Sequence, residues 1–187
     1  MSDRIVLGSG YVYCTEFTGG TIPEDSSIET AANRLGHIKG GATLAYSATT
    51  YKAIDDYGKV SKTITTEEDA TFRTGIMTWN TETLKKLVSR ARLTTTAATS
   101  SAPGKRTLKI GGGADDGKKY LIRFHHPDAE DGDLRVTIIG KNQAGFELAF
   151  AKDAETTIDA EFTAFPQDSD GTLIQIDETI PQLPAST

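Results

Sequence analysis

The chain has 187 residues, 37% hydrophobic and 25% charged, which is the composition of a folded domain and not of a disordered segment. Its net charge of −6 argues against affinity for free nucleic acid, which needs clustered Lys and Arg. One cysteine excludes an intrachain disulfide, and no apolar run approaches the ~18 residues that span a membrane.

The opening MSDRIVLGSG lacks the basic-then-apolar layout of a secretory leader, so synthesis in a cytoplasm is expected. Arg4 to Phe17 reads as two short strands around Gly8-Ser9-Gly10. A phosphate cradle would need a helix after the glycines, and strand-like Tyr11-Val12-Tyr13 follows instead. Cys14, between Tyr13 and Thr15, is expected to be a buried, inert thiol. Gly19 to Gly41 is polar and turn-rich, with a helical turn or two at Ile28 to Leu35.

Residues 40–64 predict an extended hairpin. Ala42, Leu44, Tyr46 and Ala48 alternate with polar positions. Asp55, Asp56, Tyr57 and Gly58 form a tip, and Val60 and Ile64 continue the return strand. Arms so rich in Thr, Ser and Ala have little core of their own, so the hairpin should order against a partner, with an ordinary surface hairpin as the alternative. Tyr46, Tyr51, Asp55, Asp56, Tyr57 and Lys59 are its candidate contact residues. Thr65 to Asp69 reads as a solvated acidic loop, and Ala70 to Met77 as a strand with Phe72 and Ile76 in the core.

A helix is predicted over residues 81–93. Leu84, Leu87, Val88 and Ala91 fall on one stripe, Asn80 or Thr81 caps the start, and Glu82 suits the positive end of the dipole. Lys85, Lys86, Arg90 and Arg92 would solvate its outer face. Thr94 to Lys105 reads as a flexible loop. Strands resume with Leu108 and Ile110, and again with Tyr120, Ile122 and Phe124 on one face. His125 and His126 would point to opposite sides of an extended chain and chelate one ion poorly. Asp168-Ser169-Asp170-Gly171 opens like a calcium loop, but Thr179 stands where the bidentate Glu belongs.

From Leu134 to Glu178 the period is two. Leu134, Val136 and Ile138 make one apolar face, as do Phe146, Leu148 and Phe150, and then Ile158, Ala160, Phe162 and Ala164. Asp159 and Glu161 share the other face of their strand, about 7 Å apart at strand rise. Such a carboxylate pair fits a glycosidase, but it is more simply the polar side of a sheet. No nucleophile with a base and no metal-ligand spacing stands out, so neither an enzyme nor a cofactor is expected.

The stretch Phe162 to Ile176 (FTAFPQDSDGTLIQI) resembles the closing hairpin of phage major tail proteins, the tail tube family. Gly111 to Pro127, Gly132 to Gly140 and the opening Val6 to Gly10 are similar to other parts of that family. Position 167 is Gln where the family often has an acid, and the loop from Thr94 to Gly104 has no counterpart in it. The resemblance implies a mainly β fold over residues 1–178, followed by an extended tail at 179–187. Two antiparallel sheets would pack as a sandwich or rolled barrel, with one flanking α-helix and the long hairpin. It implies homo-hexameric rings stacked into a hollow tube, with residues 40–64 reaching the next ring. Partners would be tape-measure, terminator and tip proteins, with genomic DNA passing through unbound, in the tail of a virion assembled in the host cytoplasm. Glu147, Asp159 and Glu161 are candidates for the lumen wall, where negative charge repels phosphate. A long non-contractile tail is the first expectation, and the inner tube of a contractile tail or related injection machine the second. A β-sandwich carbohydrate-binding or adhesion module is a third, which would want Tyr46, Tyr51 and Tyr57 in a flat exposed row.

Overall fold

The computed structural model describes residues 8–148, 150, 152–153 and 155–180. Through them run β1 (Tyr11–Phe17), α1 (Asp25–Ile28), β2 (Arg34–Gly36), β3 (Ile38–Ile54), β4 (Ser61–Ile76) and α2 (Thr81–Leu87). There follow β5 (Ala91–Thr96), β6 (Lys105–Ile110), β7 (Lys119–His126), β8 (Leu134–Asn142), β9 (Ile158–Phe165) and β10 (Gln175–Glu178). The fold is mainly β, with one large antiparallel sheet, a small second sheet and a long hairpin; the strands and hairpin follow the alternating pattern, and two sheets are what the resemblance implies. The expected strand before Gly8 and most of the 179–187 tail lie outside the described residues.

The large sheet has the order β2-β1-β7-β8-β9-β4-β3, with β10 attached to β8. β7 covers one edge of β8, with Ile122 opposite Ile138. The other edge is shared end to end: β9 pairs residues 139–142 and β10 pairs residues 134–137. The stretch Phe162 to Ile176 is therefore not a hairpin, because β9 and β10 pair with β8 and not with each other. The turn between them is held by Asp168, whose carboxylate accepts from the amides of Asp170 and Thr172, both at 3.0 Å.

One face of this sheet carries the main core, including Val12, Cys14, Phe72, Ile122, Ile138 and Phe162. Leu84 and Leu87 of α2 cover that face, and Leu108 of β6 packs against the same cluster. Each such Ile, Leu or Phe contributes about 1.5–3 kcal/mol over leaving it in water. On the opposite face Tyr13, Leu121 and Ile139 are covered by Ile28 and Ile22 from the segment after β1.

Several boundaries differ from the sequence reading. The helix ends at Leu87 rather than at residue 93. Asn80 caps it as expected, its Oδ1 accepting from Glu82 N–H at 2.9 Å. Val88 then turns extended (φ −133, ψ 107), and Ala91–Thr96 becomes β5, paired with β6 so that Leu93 faces Leu108. β-Branched Val88 and the run Thr94 to Thr96 prefer that pleat, and they shorten both the helix and the expected loop. The acidic run Thr65 to Asp69 is not a loop but the middle of β4, continuous with the strand that holds Phe72 and Ile76. Ile28 ends α1 instead of starting a helical turn, and Arg34–Gly36 is strand. Of the expected strand at Phe146, Leu148 and Phe150, Leu148 makes an isolated bridge to Ile158 and Phe150 is exposed. From Phe162 to Phe165 that edge of β9 is already taken by β8, which leaves residues 158–161 open to it.

Candidate assembly surfaces

The β3–β4 hairpin leaves the domain after Ala70, its last buried residue. From Tyr46 to Asp69 every residue except Asp55 is exposed. The two strands pair down to Ile54 opposite Ser61, with Thr66 as an extra residue in β4 between Glu67 and Thr65. Asp55 fixes the tip: its carboxylate accepts from Val60 N–H at 2.6 Å, and its carbonyl from Gly58 N–H at 2.9 Å. The Val60 amide holds the Asp55 carboxyl below its ordinary range. At the root, Gly40 and Gly41 adopt φ +79 and +77 and form a bulge of two residues that bends β3.

The hairpin's side chains split between two faces. Tyr46 lies on the same face as Leu44, and its hydroxyl donates to Glu68. Tyr51 lies on the other face, opposite Ile64, and Tyr57 sits at the tip with Asp56 and Lys59. The three tyrosines therefore make no flat row. Tyr51, Ile54, Tyr57 and Val60 are 60%, 59%, 86% and 70% exposed, a density of large apolar groups unusual on an arm with no core beneath it. Among the described residues, β4 uses its second edge only at residues 71–76, where β9 pairs with it.

Asp159 and Glu161 lie on the face of β9 turned away from the main core. They line a groove of about 680 Å³ together with Glu147. The same groove contains Lys39 and Arg73. Glu161 stands opposite Arg73 and pairs with its Nε at 2.9 Å, and Lys39 pairs with Glu155. The three predicted wall residues are thus neighbours, in a surface of mixed charge. Arg73 escaped the sequence reading because its partner is set by the β4–β9 register, nearly ninety residues away.

A second cluster also went unread. Arg123 is 1% exposed, and its Nη1 donates to Asp25 at 2.5 Å and to Glu29 at 3.4 Å. Arg135 Nε reaches Glu29 at 2.7 Å. His125 lies between Glu29 at 3.1 Å and Asp133 at 3.0 Å. The network ties the segment after β1 to β7 and β8. Asp133 is held below the usual carboxylate range by the Asp128 amide and then by His125. His126 points the other way, its Nδ1 at 2.8 Å from the carbonyl of Ser9, so the two histidines diverge as their adjacency predicts. Only the alternation of Arg123 and His125 with Ile122 and Phe124 hinted at this face.

Neither the protein-family models nor the curated proteins compared with this chain gave a match.

Proposed function

We propose that this chain is a structural subunit of a bacteriophage tail tube, in which hexameric rings stack around a lumen that conducts DNA. The observation that carries this reading is the β3–β4 arm, which projects apolar side chains from a domain already closed around its own core. A two-stranded ribbon of this length is marginal in water and gains stability once it lies on another surface. The open edge of β3 offers backbone groups for pairing with a neighbour, and ring closure would satisfy them. The virion tail would be the place of work, and the long non-contractile type remains the first reading. Exposed tyrosines favour the sugar-binding alternative only if they form a platform, and Tyr46 and Tyr51 face opposite ways.

The test is negative-stain electron microscopy of the purified chain, concentrated at several salt levels. Striated tubes or rings are expected, and removal of residues 47–68 should abolish stacking. A chain that stays monomeric at every salt level but binds glycans would overturn the proposal. For the lumen, charge reversal at Glu147, Asp159 and Glu161 is expected to slow DNA delivery without blocking assembly. Unchanged delivery would take those residues off the wall.

A further inference from the structure

Charge is segregated along this acidic chain. Residues 83–114 hold seven Lys and Arg and no Asp or Glu, leaving thirteen Lys and Arg against all 26 acids elsewhere. The two-stranded ribbon β5–β6 carries most of them. Arg92 is engaged with the carbonyls of Gly111 and Gly112, at 3.1 and 3.2 Å. Arg90, Lys105, Arg106 and Lys109 are exposed and have no ion pair among the described residues. The tip of the ribbon, residues 97–104, bears hydroxyls and no charge.

A groove of about 910 Å³ has the opposite character. Glu24, Asp25, Asp168 and Asp177 line it, against one guanidinium, that of buried Arg123. The Nε of Arg123 is buried without a hydrogen-bond partner, as is the side-chain amide nitrogen of Gln167, another lining residue. Asp25 already accepts from Arg123, Asp168 from the amides of its turn and Asp177 from Gln175, yet the groove keeps a surplus of negative charge, which favours a ligand that brings cations. The ribbon brings them in Lys105 and Arg106.

The two surfaces cannot meet within one copy. β6 packs through Leu108 on the face of the sheet that holds Ile122 and Ile138. The groove is lined by Arg123 and Gln175, which belong to the other face, since Gln175 stands opposite Thr137. We propose that the basic β5–β6 ribbon of one copy docks in the acidic groove of a second copy, in a head-to-tail contact. Such a contact is heterologous and repeats until it closes a ring or runs on as a filament. It rests on the reading of the chain as a self-assembling subunit and names a contact that the β3–β4 arm does not supply.

Sedimentation velocity of the full chain tests this, with K105E/R106E reversing the ribbon and E24K/D177K reversing the groove. All four positions are exposed or partly exposed, and none belongs to the main core. The wild type is expected to associate at low salt and dissociate as salt is raised. Each variant should associate at least about tenfold more weakly, because like charges then meet across the contact. An equimolar mixture of the two should regain association, since each ribbon then finds a groove of opposite sign. Association of either variant at wild-type strength, or a mixture no larger than its parts, overturns the proposal. So does loss of duplex-DNA binding by K105E/R106E with self-association unchanged, which would make the ribbon a polyanion site. The tube reading fails separately. Tubes in micrographs of E24K/D177K would remove this contact and leave the tube, whereas mixing-dependent association without tubes would keep this contact and remove the tube.

Discussion

Tyr51 and Ile64 stand directly opposite one another across β3 and β4, both exposed and well beyond Ala70, the last buried residue of the hairpin. A cross-strand pair of this kind contributes only about 0.2–1 kcal/mol to its own ribbon. Replacing both with Ser should therefore leave the melting of the isolated chain almost unchanged. The same change should abolish or strongly weaken higher assembly in micrographs. A large drop in melting temperature would mean that the pair packs on its own domain.

Arg123 is the largest fully buried side chain among the described residues, and it holds Asp25 at 2.5 Å. Arg123→Ala leaves Glu29 facing a gap and is expected to cost about 2–3 kcal/mol, below the full range for a buried pair because Asp25 is half exposed. Urea unfolding measures the loss. Hydrogen exchange should quicken first at residues 25–33, the segment that the network ties down. Uniform loosening of the whole sheet would assign Arg123 to general packing instead.

The Cys14 thiol is fully buried, and burial pushes it up to about 12. A thiolate is the reactive form, so the native chain should resist thiol reagents at neutral pH and react only when denaturant opens the sheet. Rapid labelling without denaturant would show that β1 opens locally. Cys14→Ser, which places a hydroxyl among Val12, Ile122 and their neighbours, should cost about 1–3 kcal/mol in urea.

Asp133 has its carboxyl held low by the Asp128 amide and by His125. A group lowered on folding contributes stability that is complete above the unfolded carboxylate value of about 4 and is lost as pH falls through the folded value. Asp133→Asn should accordingly be less stable than the wild type near neutrality, and the gap should narrow under acid. Urea midpoints across that range read it directly. A gap that stays constant would mean that the carboxylate acts by shape alone.

The strands were legible where one face is apolar and the other is not, as in Tyr120, Ile122 and Phe124, or Ile158, Ala160 and Phe162, because period two needs no knowledge of partners. The helix start was legible at Asn80 because a cap acts within one turn. Its end was not, since Val88 and Leu93 fit a helical stripe and a pleat equally well, and the partner strand decided. The acidic run Thr65 to Asp69 reads as a loop because those five residues include no apolar side chain to mark a face. The side of its strand that Glu161 occupies is legible from alternation, but its pairing with Arg73 and the burial of Arg123 are not, because strand register and long-range ion pairs leave no local trace. The hairpin was the most readable surface and the charge groove the least, for the same reason.

The strand order also governs how the chain becomes a protein. β3 and β4 are neighbours in sequence and can pair as soon as residue 76 has been made. β1 must wait for β7, with Tyr11 opposite His125, and β4 must wait for β9, with Phe72 opposite Phe162. Contacts so distant in sequence make folding slow, and they come last. During synthesis the arm is therefore finished while the body is still open, and its bare edges spend that interval beside the same edges on other nascent copies. The device proposed for building an ordered polymer is in those moments the chain's main route to disordered aggregation. Lys52, Lys59 and Lys62 are spaced along its outer half, and charge on an open strand edge is a device that opposes such pairing.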